Sequence, residues 1–390
     1  WGGFVFDGPV FGAEAAMVPD TDRADAARHL MHGVFACAEQ RDMDVYLAVD
    51  VDTASANPQA VIRTLPPEAR FAINAEQMGW MDQQGGKMWL ANPDTPEGYR
   101  YYKAQVETLL SDYPQIDCLA VWFRHDNTPW IALKAEEMPE SWQKQYQDQI
   151  EKTPEAVKLW RSHNMFALSK VVAAFERAIR EIGREDVRVA VGSWRFDFLP
   201  GCDRFLPRHV KFIPLDWEVL NDRSQLRDEK SIQEIARVGA HRPVLPVVWA
   251  HHDDGNYVGR PYTPYSDFHS RLVDSRACGF GIIHWTTRPL DLYFKSLAEQ
   301  VWRTTENRPL RLTCSDTAAR WFGAGAREKM SEYLYLWVTE LPKIGRETSD
   351  YFIDRKLGDM AGVLAGCERR SKLLDQVDES TLEPAERDRL

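Results

Sequence analysis

Short apolar runs, each closed by a polar or aromatic cluster, recur along this chain with amphipathic stretches between them. That alternation restricts the fold more than any other feature. Seven runs stand out: 3–7, 44–50, 117–123, 187–191, 210–215, 243–249 and 279–284. They are near-continuously apolar, as strands covered on both faces must be. Residues 21–41, 95–113, 154–183, 229–239 and 266–277 carry helical spacing. Thr95-Pro96-Glu97 supplies a cap, a first-turn proline and a first-turn acid for the second of these. Strand and helix in alternation predict parallel strands joined by crossover helices.

The expected fold class is therefore α/β, as a (β/α)8 TIM barrel over residues 1–303. An eighth strand is expected from a weak run at Arg70–Asn74 or Met88–Leu90, or from chain upstream of Trp1. A doubly wound sheet is the competing architecture. No Gly-x-Gly-x-x-Gly turn follows any strand and no Walker loop occurs, so nucleotide-binding versions of it lose their main support. From about residue 290 the strand pattern stops. Stretches 291–303, 316–345 and 347–376 read as helices, giving a helical C-terminal region over 304–390. Trp302, Trp321, Phe322 and Trp337 are expected to bury its common face. A length of 390 residues suits one barrel of about 250 residues with an appended piece.

Charge and cysteine usage exclude several classes. With 48 basic against 59 acidic residues the net charge is −11, which argues against a general nucleic-acid binder. The six cysteines, at 37, 118, 202, 278, 314 and 367, form no CxxC or His-paired spacing. Cys118 and Cys278 lie in apolar runs and are expected to be buried thiols. No apolar run reaches the roughly 18 residues of a membrane span, and no signal peptide is expected. The chain opens inside a strand-like run without an initiator Met, so it is expected to begin within a longer protein. The sequence leaves location open, with periplasmic or secreted favoured, and is compatible with a homo-oligomer.

Barrel active sites are built from the C-terminal ends of the strands, and here those ends carry chemistry. Arg124-His125-Asp126 follows one fully apolar strand. Asp216-Trp217-Glu218 closes another, and strand alternation sends Asp216 and Glu218 to the same side. Trp194-Arg195, His251-His252-Asp253-Asp254 after Trp249, and His284-Trp285 with Arg288 close the others. Carboxyl groups at such a rim serve general acid and base chemistry. Arginines there bind carboxylates bidentately, and indole rings suit sugar faces. The plainer readings are turn chemistry for Asp126-Asn-Thr-Pro, Asp–Arg pairing for Asp216, and hydrogen-bonded core histidines.

Asn92-Pro-Asp-Thr-Pro-Glu-Gly-Tyr99 precedes a helix with Lys103. Tyr113-Pro-Gln-Ile-Asp-Cys-Leu-Ala-Val-Trp-Phe-Arg-His-Asp126 follows it. Together they resemble the α-glucuronidases of glycoside hydrolase family 67, in which an A-D-P turn leads to a helix, a strand and the catalytic acid. Phe212-Ile-Pro-Leu-Asp216 resembles that family's strand ending in a catalytic Asp. The likeness covers residues 1–345 in architecture and only short stretches in sequence. Where the family has its acid, a Glu in a D-S-E-G run, this chain has His125 and Asp126. Where the family has Q-E-Y, it has His251-His252-Asp253. The paired Asp-Glu of hexosaminidase-like barrels is absent.

Residues and resemblance together lead to the expectation of a glycoside hydrolase acting on an acidic, uronic-acid-bearing glycan without a cofactor. Asp126 is the expected acid and Asp216 the base or nucleophile, with Glu218 and Asp253 in reserve. His125, His251, His252 and His284 are assigned to substrate hydroxyls, Arg124 or Arg288 to a carboxylate, and Arg195 to substrate binding. Trp194, Trp217, Trp249 and Trp285 are assigned to the pocket, walled by the stretches 52–92 and 127–153. A metal-dependent barrel hydrolase or lyase using His251, His252, Asp253 and Asp216 is one alternative. A carbohydrate-binding barrel without catalysis is the other. Neither a membrane nor a nucleic acid is an expected partner.

Overall fold

The computed structural model describes residues 21–78, 82–124, 128–159, 161–216, 228–251, 268–284, 291–302, 308–340 and 360–388. They fall into two units. The first takes in the chain up to Leu215, with Glu234–Val247 and Ala277–Gly279. The second has Asp216–Gln233, Val248–Arg276 and Phe280–Leu390.

The first unit is built on β1 (Val45–Asp50), β2 (Arg70–Asn74), β3 (Lys87–Ala91), β4 (Ile116–Phe123), β5 (Arg188–Ser193) and β6 (Lys211–Asp216). The strands β1, β4, β5 and β6 lie side by side in that order and run parallel. The fold is thus mixed α/β with a parallel sheet of four strands. The register gives this sheet two unlike faces. One carries Val45, Leu47, Val49, Leu119, Val121, Phe123, Val189, Val191 and Phe212. Most of these are fully buried, and the helix Ser162–Glu181 packs on β5 and against the helix Pro96–Asp112. The Ser162–Glu181 helix buries Met165, Leu168, Val172, Phe175 and Ile179, a stripe at helical spacing. The other face carries Tyr46, Ala48, Asp50, Cys118, Ala120, Trp122, Arg188, Ala190, Gly192, Lys211 and Ile213. Small side chains fill its middle and polar ones its two ends. At the N-terminal end Lys211 Nζ donates to Tyr46 Oη at 2.7 Å, and Arg188 pairs with Asp44.

The weak strand proposed for the barrel's eighth position is not part of this sheet. Both β2 and β3 form, and they pair antiparallel with each other, Arg70 opposite Ala91 and Asn74 opposite Lys87. The cause is local. Gly85 and Gly86 take φ of 60° and 71°, so Gln84 and Lys87 bond across a two-residue turn that only such residues make easily. The Gln59 side-chain amide then occupies the outer edge of β3. Trp89 N–H donates to Oε1 at 2.8 Å and Nε2 donates to Trp89 O at 2.9 Å.

The polar stretch 127–153 is more ordered than its composition suggests. It holds short helix Pro129–Ala132 and helix Glu140–Lys152. Trp130 and Trp142 are fully buried, their rings 6.3 and 5.5 Å from that of Phe71 on β2. The long helix expected over 154–183 starts only at Ser162, because Arg161 is left-handed at φ 46°. Past β6, residues 243–246 run beside it: Phe212 N–H donates to Pro243 O at 2.9 Å and Leu245 N–H to Phe212 O at 2.8 Å. Pro243 and Pro246 lack an N–H, so regular strand begins only at Val247, in Val247–His251. Of the expected strands, 3–7 lies outside the described residues.

In the second unit, the helices Leu310–Glu340 and Met360–Leu374 pack together. Leu292, Cys314, Ala318, Phe322, Ala326, Met330, Leu334, Val338 and Leu382 form the core there, with Trp321 and Trp337 packed against it. Trp302 departs from expectation: at the end of helix Asp291–Trp302 it is 91 % exposed. Cys278 departs too, being exposed, while Cys118 is buried and all six thiols are free. Among the described residues no helix is long and apolar enough to cross a membrane.

Candidate functional site

Three neighbouring strands of the first unit bring polar and aromatic groups to one face at their C-terminal ends. Asp50 closes β1 and stands in register with Trp122 of β4, which stands in register with Gly192 of β5. Alternation places the next residues but one, Arg124 and Trp194, on the same face. Arg124 Nε donates to Asp50 Oδ2 at 2.8 Å. The guanidinium carbon lies 5.9 Å from the centre of the Trp194 ring, within cation–π range. Ser193 Oγ donates to the Arg124 carbonyl at 3.2 Å and accepts the Arg195 N–H at 3.3 Å, lacing the ends of β4 and β5 together.

A second carboxylate sits behind the first. Asp52 is fully buried. It accepts the backbone N–H of Arg124 at 2.9 Å and that of Trp130 at 2.7 Å, and the Thr128 side chain bonds to it as well. The Asp52 N–H in turn donates to Asp50 Oδ1 at 3.2 Å. Among the described residues no cation offsets the Asp52 charge directly; the Arg124 guanidinium bonds to Asp50 instead. Burial pushes the Asp52 carboxyl up to about 7. The N–H groups of Arg124 and Trp130 pull it down, and the nearby Asp50 charge pushes it further up. Burial also raises Asp50, and the Arg124 cation only partly reverses this. A partly buried carboxyl held above its usual range can donate a proton, and the arginine beside it can bind an anionic group.

Of the site residues nominated from sequence, Arg124 and Trp194 come together at this rim. Arg195 is adjacent, and its guanidinium is paired with Asp197 at 2.8 Å through Nε. Asp216 is the last residue of β6, His251 the last of Val247–His251, and His284 the last of Gly281–His284. Trp249 lies within the second of these strands. His125, Asp126, Trp217, Glu218, His252, Asp253, Trp285 and Arg288 lie outside the described residues.

The expected strand over 44–50 ends at Asp50, and neither Asp50, Asp52 nor Trp122 is among the residues nominated from sequence. The signal was present. Asp50-Val51-Asp52 has the same carboxylate spacing as Asp216-Trp217-Glu218, and Trp122 precedes Arg124 by two residues, the strand period. Among the described residues no group of three or more His, Cys, Asp or Glu is placed to hold a metal ion; His252 and Asp253 fall outside them. Compared with known proteins, the chain matches no protein-family model and no curated protein sequence.

Proposed function

We propose that the chain is a glycoside hydrolase built on a (β/α)8 barrel, acting on an acidic, uronic-acid-bearing glycan. The observation that carries this reading is the Asp50–Arg124 pair, flanked on one sheet face by Trp122 and Trp194. Glycosidic cleavage needs two carboxyl groups, one as acid and one as base or nucleophile. Asp50 is one partly buried carboxyl with a raised pKa. Asp126, two residues past Arg124, and Asp216, at the end of β6, are the other candidates. The family 67 resemblance supports the same pairing of roles. A uronate carboxylate competes with Asp50 for Arg124, and the indoles take the sugar faces.

The test is release of reducing ends from a panel of acidic and neutral glycans by the parent and by Asp50→Asn, Asp126→Asn and Asp216→Asn. The expected result is cleavage of a uronic-acid-bearing glycan, with at least one variant slower by about 100-fold or more, the scale of acid–base catalysis. If every variant cuts like the parent, the carboxylates are structural. The existing bond between Asp50 and Arg124 favours a second reading, a barrel that binds the glycan without cutting it. A thermal shift with uronate-bearing oligosaccharide and no cleavage by the parent selects that reading.

A further inference from the structure

We propose that Asp52 is the positioning residue of this rim, holding Arg124 in place through its backbone. The proposal rests on the rim being the working site. Its geometric basis is a closed circuit of three hydrogen bonds. The Asp52 carboxylate accepts the Arg124 N–H, Arg124 Nε donates to Asp50, and Asp50 accepts the Asp52 N–H. Each of the three residues is bonded to the other two.

The same carboxylate holds the chain on both sides of residues 125–127, at the N–H of Arg124 and the N–H of Trp130. From the far side a second fully buried polar residue grips the same segment. Asn164, on the helix Ser162–Glu181, donates to Trp130 O at 2.8 Å and Leu133 O at 2.7 Å. Residue 130 is thus fixed through its N–H and its carbonyl by two side chains that never reach solvent. A carboxylate is the group that fits, because both oxygens accept. The amide of an asparagine turns an N–H donor against one of the two backbone donors. Burying an uncompensated carboxylate is costly, and a site that must hold an arginine in one place accounts for retaining it.

The test separates positioning from folding. The Nε–H resonance of Arg124 is identified in 15N-arginine-labelled protein by its loss in Arg124→Lys. In the parent it is expected to be protected from solvent exchange by Asp50. In Asp52→Asn it is expected to lose that protection by about tenfold or more. In Phe175→Leu, a core change on the helix Ser162–Glu181, it is expected to stay. Thr128→Val removes one bond to Asp52 and gives a smaller loss of the same kind, which serves if Asp52→Asn does not fold. An unchanged resonance in folded Asp52→Asn or Thr128→Val overturns the proposal, as does an equal loss in Phe175→Leu. Where the parent cuts a glycan, Asp52→Asn is expected to slow it in the parent but hardly at all in an Arg124→Lys background. Failure of every glycan removes the glycosidase reading and leaves the resonance experiment to decide the positioning role alone.

Discussion

The indole of Trp122 lies across Gly192 so closely that a Cβ at position 192 would sit 2.0 Å from the ring's Cε3. The two residues are register partners on β4 and β5, with Asp50 on the other side of Trp122. The glycine is what leaves room for the ring over β5. A side chain there must push the ring aside, since the strand backbone cannot retreat within a paired sheet. Gly192→Ala is therefore expected to cost about 1–3 kcal/mol through overpacking, read from chemical denaturation. It is also expected to weaken binding of uronate-bearing oligosaccharides more than its stability loss explains. Unchanged affinity in the folded variant removes Trp122 from the site.

Asp52 predicts a pH dependence of stability with a definite sign. Its carboxyl titrates near 7 in the fold, against about 3.9 in an unfolded chain. The folded state therefore holds the proton more tightly. The contribution of this group is fully present below about pH 4 and is lost as pH rises through about 7, up to about 4 kcal/mol. Urea midpoints at pH 5 and pH 8 are expected to differ more in the parent than in Asp52→Asn, whose side chain does not titrate. Equal differences in the two proteins mean that Asp52 does not take up this proton.

The parallel strands were legible because buried strands must be apolar along their whole length, and runs such as Cys118–Phe123 admit no other use. The hairpin of β2 and β3 was not legible as a separate sheet, because the partner of a half-buried strand depends on the turn before it. Here Gly85 and Gly86 decide that turn. The stretch 127–153 hid its order for another reason. Helix Glu140–Lys152 buries only Trp142, so its polar remainder conceals the ring that anchors it through Nε1 to Asp94. The rim was legible as a place, at the strand ends. Its membership was legible only in part, because Asp52 reads as a turn residue until the two N–H groups that meet it are known.

Arg242 predicts a large stability loss in a network that shares no residue with the rim. Its side chain is fully buried, donating to Leu206 O at 2.8 Å, Val210 O at 2.9 Å and Asp203 Oδ1 at 3.1 Å. Its guanidinium carbon stands 4.3 Å from the centre of the Phe212 ring. This one planar fork closes the end of the short helix Leu199–Phe205 against β6. A lysine supplies one compact charge in place of the fork. Arg242→Lys is expected to lose about 3 kcal/mol, the scale of breaking a buried charge network, with Asp203→Asn and the double variant far from additive. A loss under about 1 kcal/mol, the scale of an exposed ion pair, would show that the network is not closed in solution.

The Asp50–Arg124 bond predicts how a pH–rate profile responds to mutation. Burial holds the Asp50 carboxyl up and the Arg124 cation holds it down, with burial the larger. Replacing Arg124 by methionine removes the lowering influence and keeps the burial, so Asp50 must titrate at higher pH than in the parent. If Asp50 supplies a proton in the reaction, the alkaline limb of kcat/KM moves to higher pH in Arg124→Met, and it returns towards the parent in Arg124→Lys, which restores a cation. Asp50→Asn abolishes the limb altogether. A merely structural pair behaves otherwise: both arginine variants lose activity by a factor that is the same at every pH, because the titrating group lies elsewhere. The profile of the three variants against the parent therefore decides whether the carboxyl at the end of β1 takes part in the chemistry or only holds its arginine.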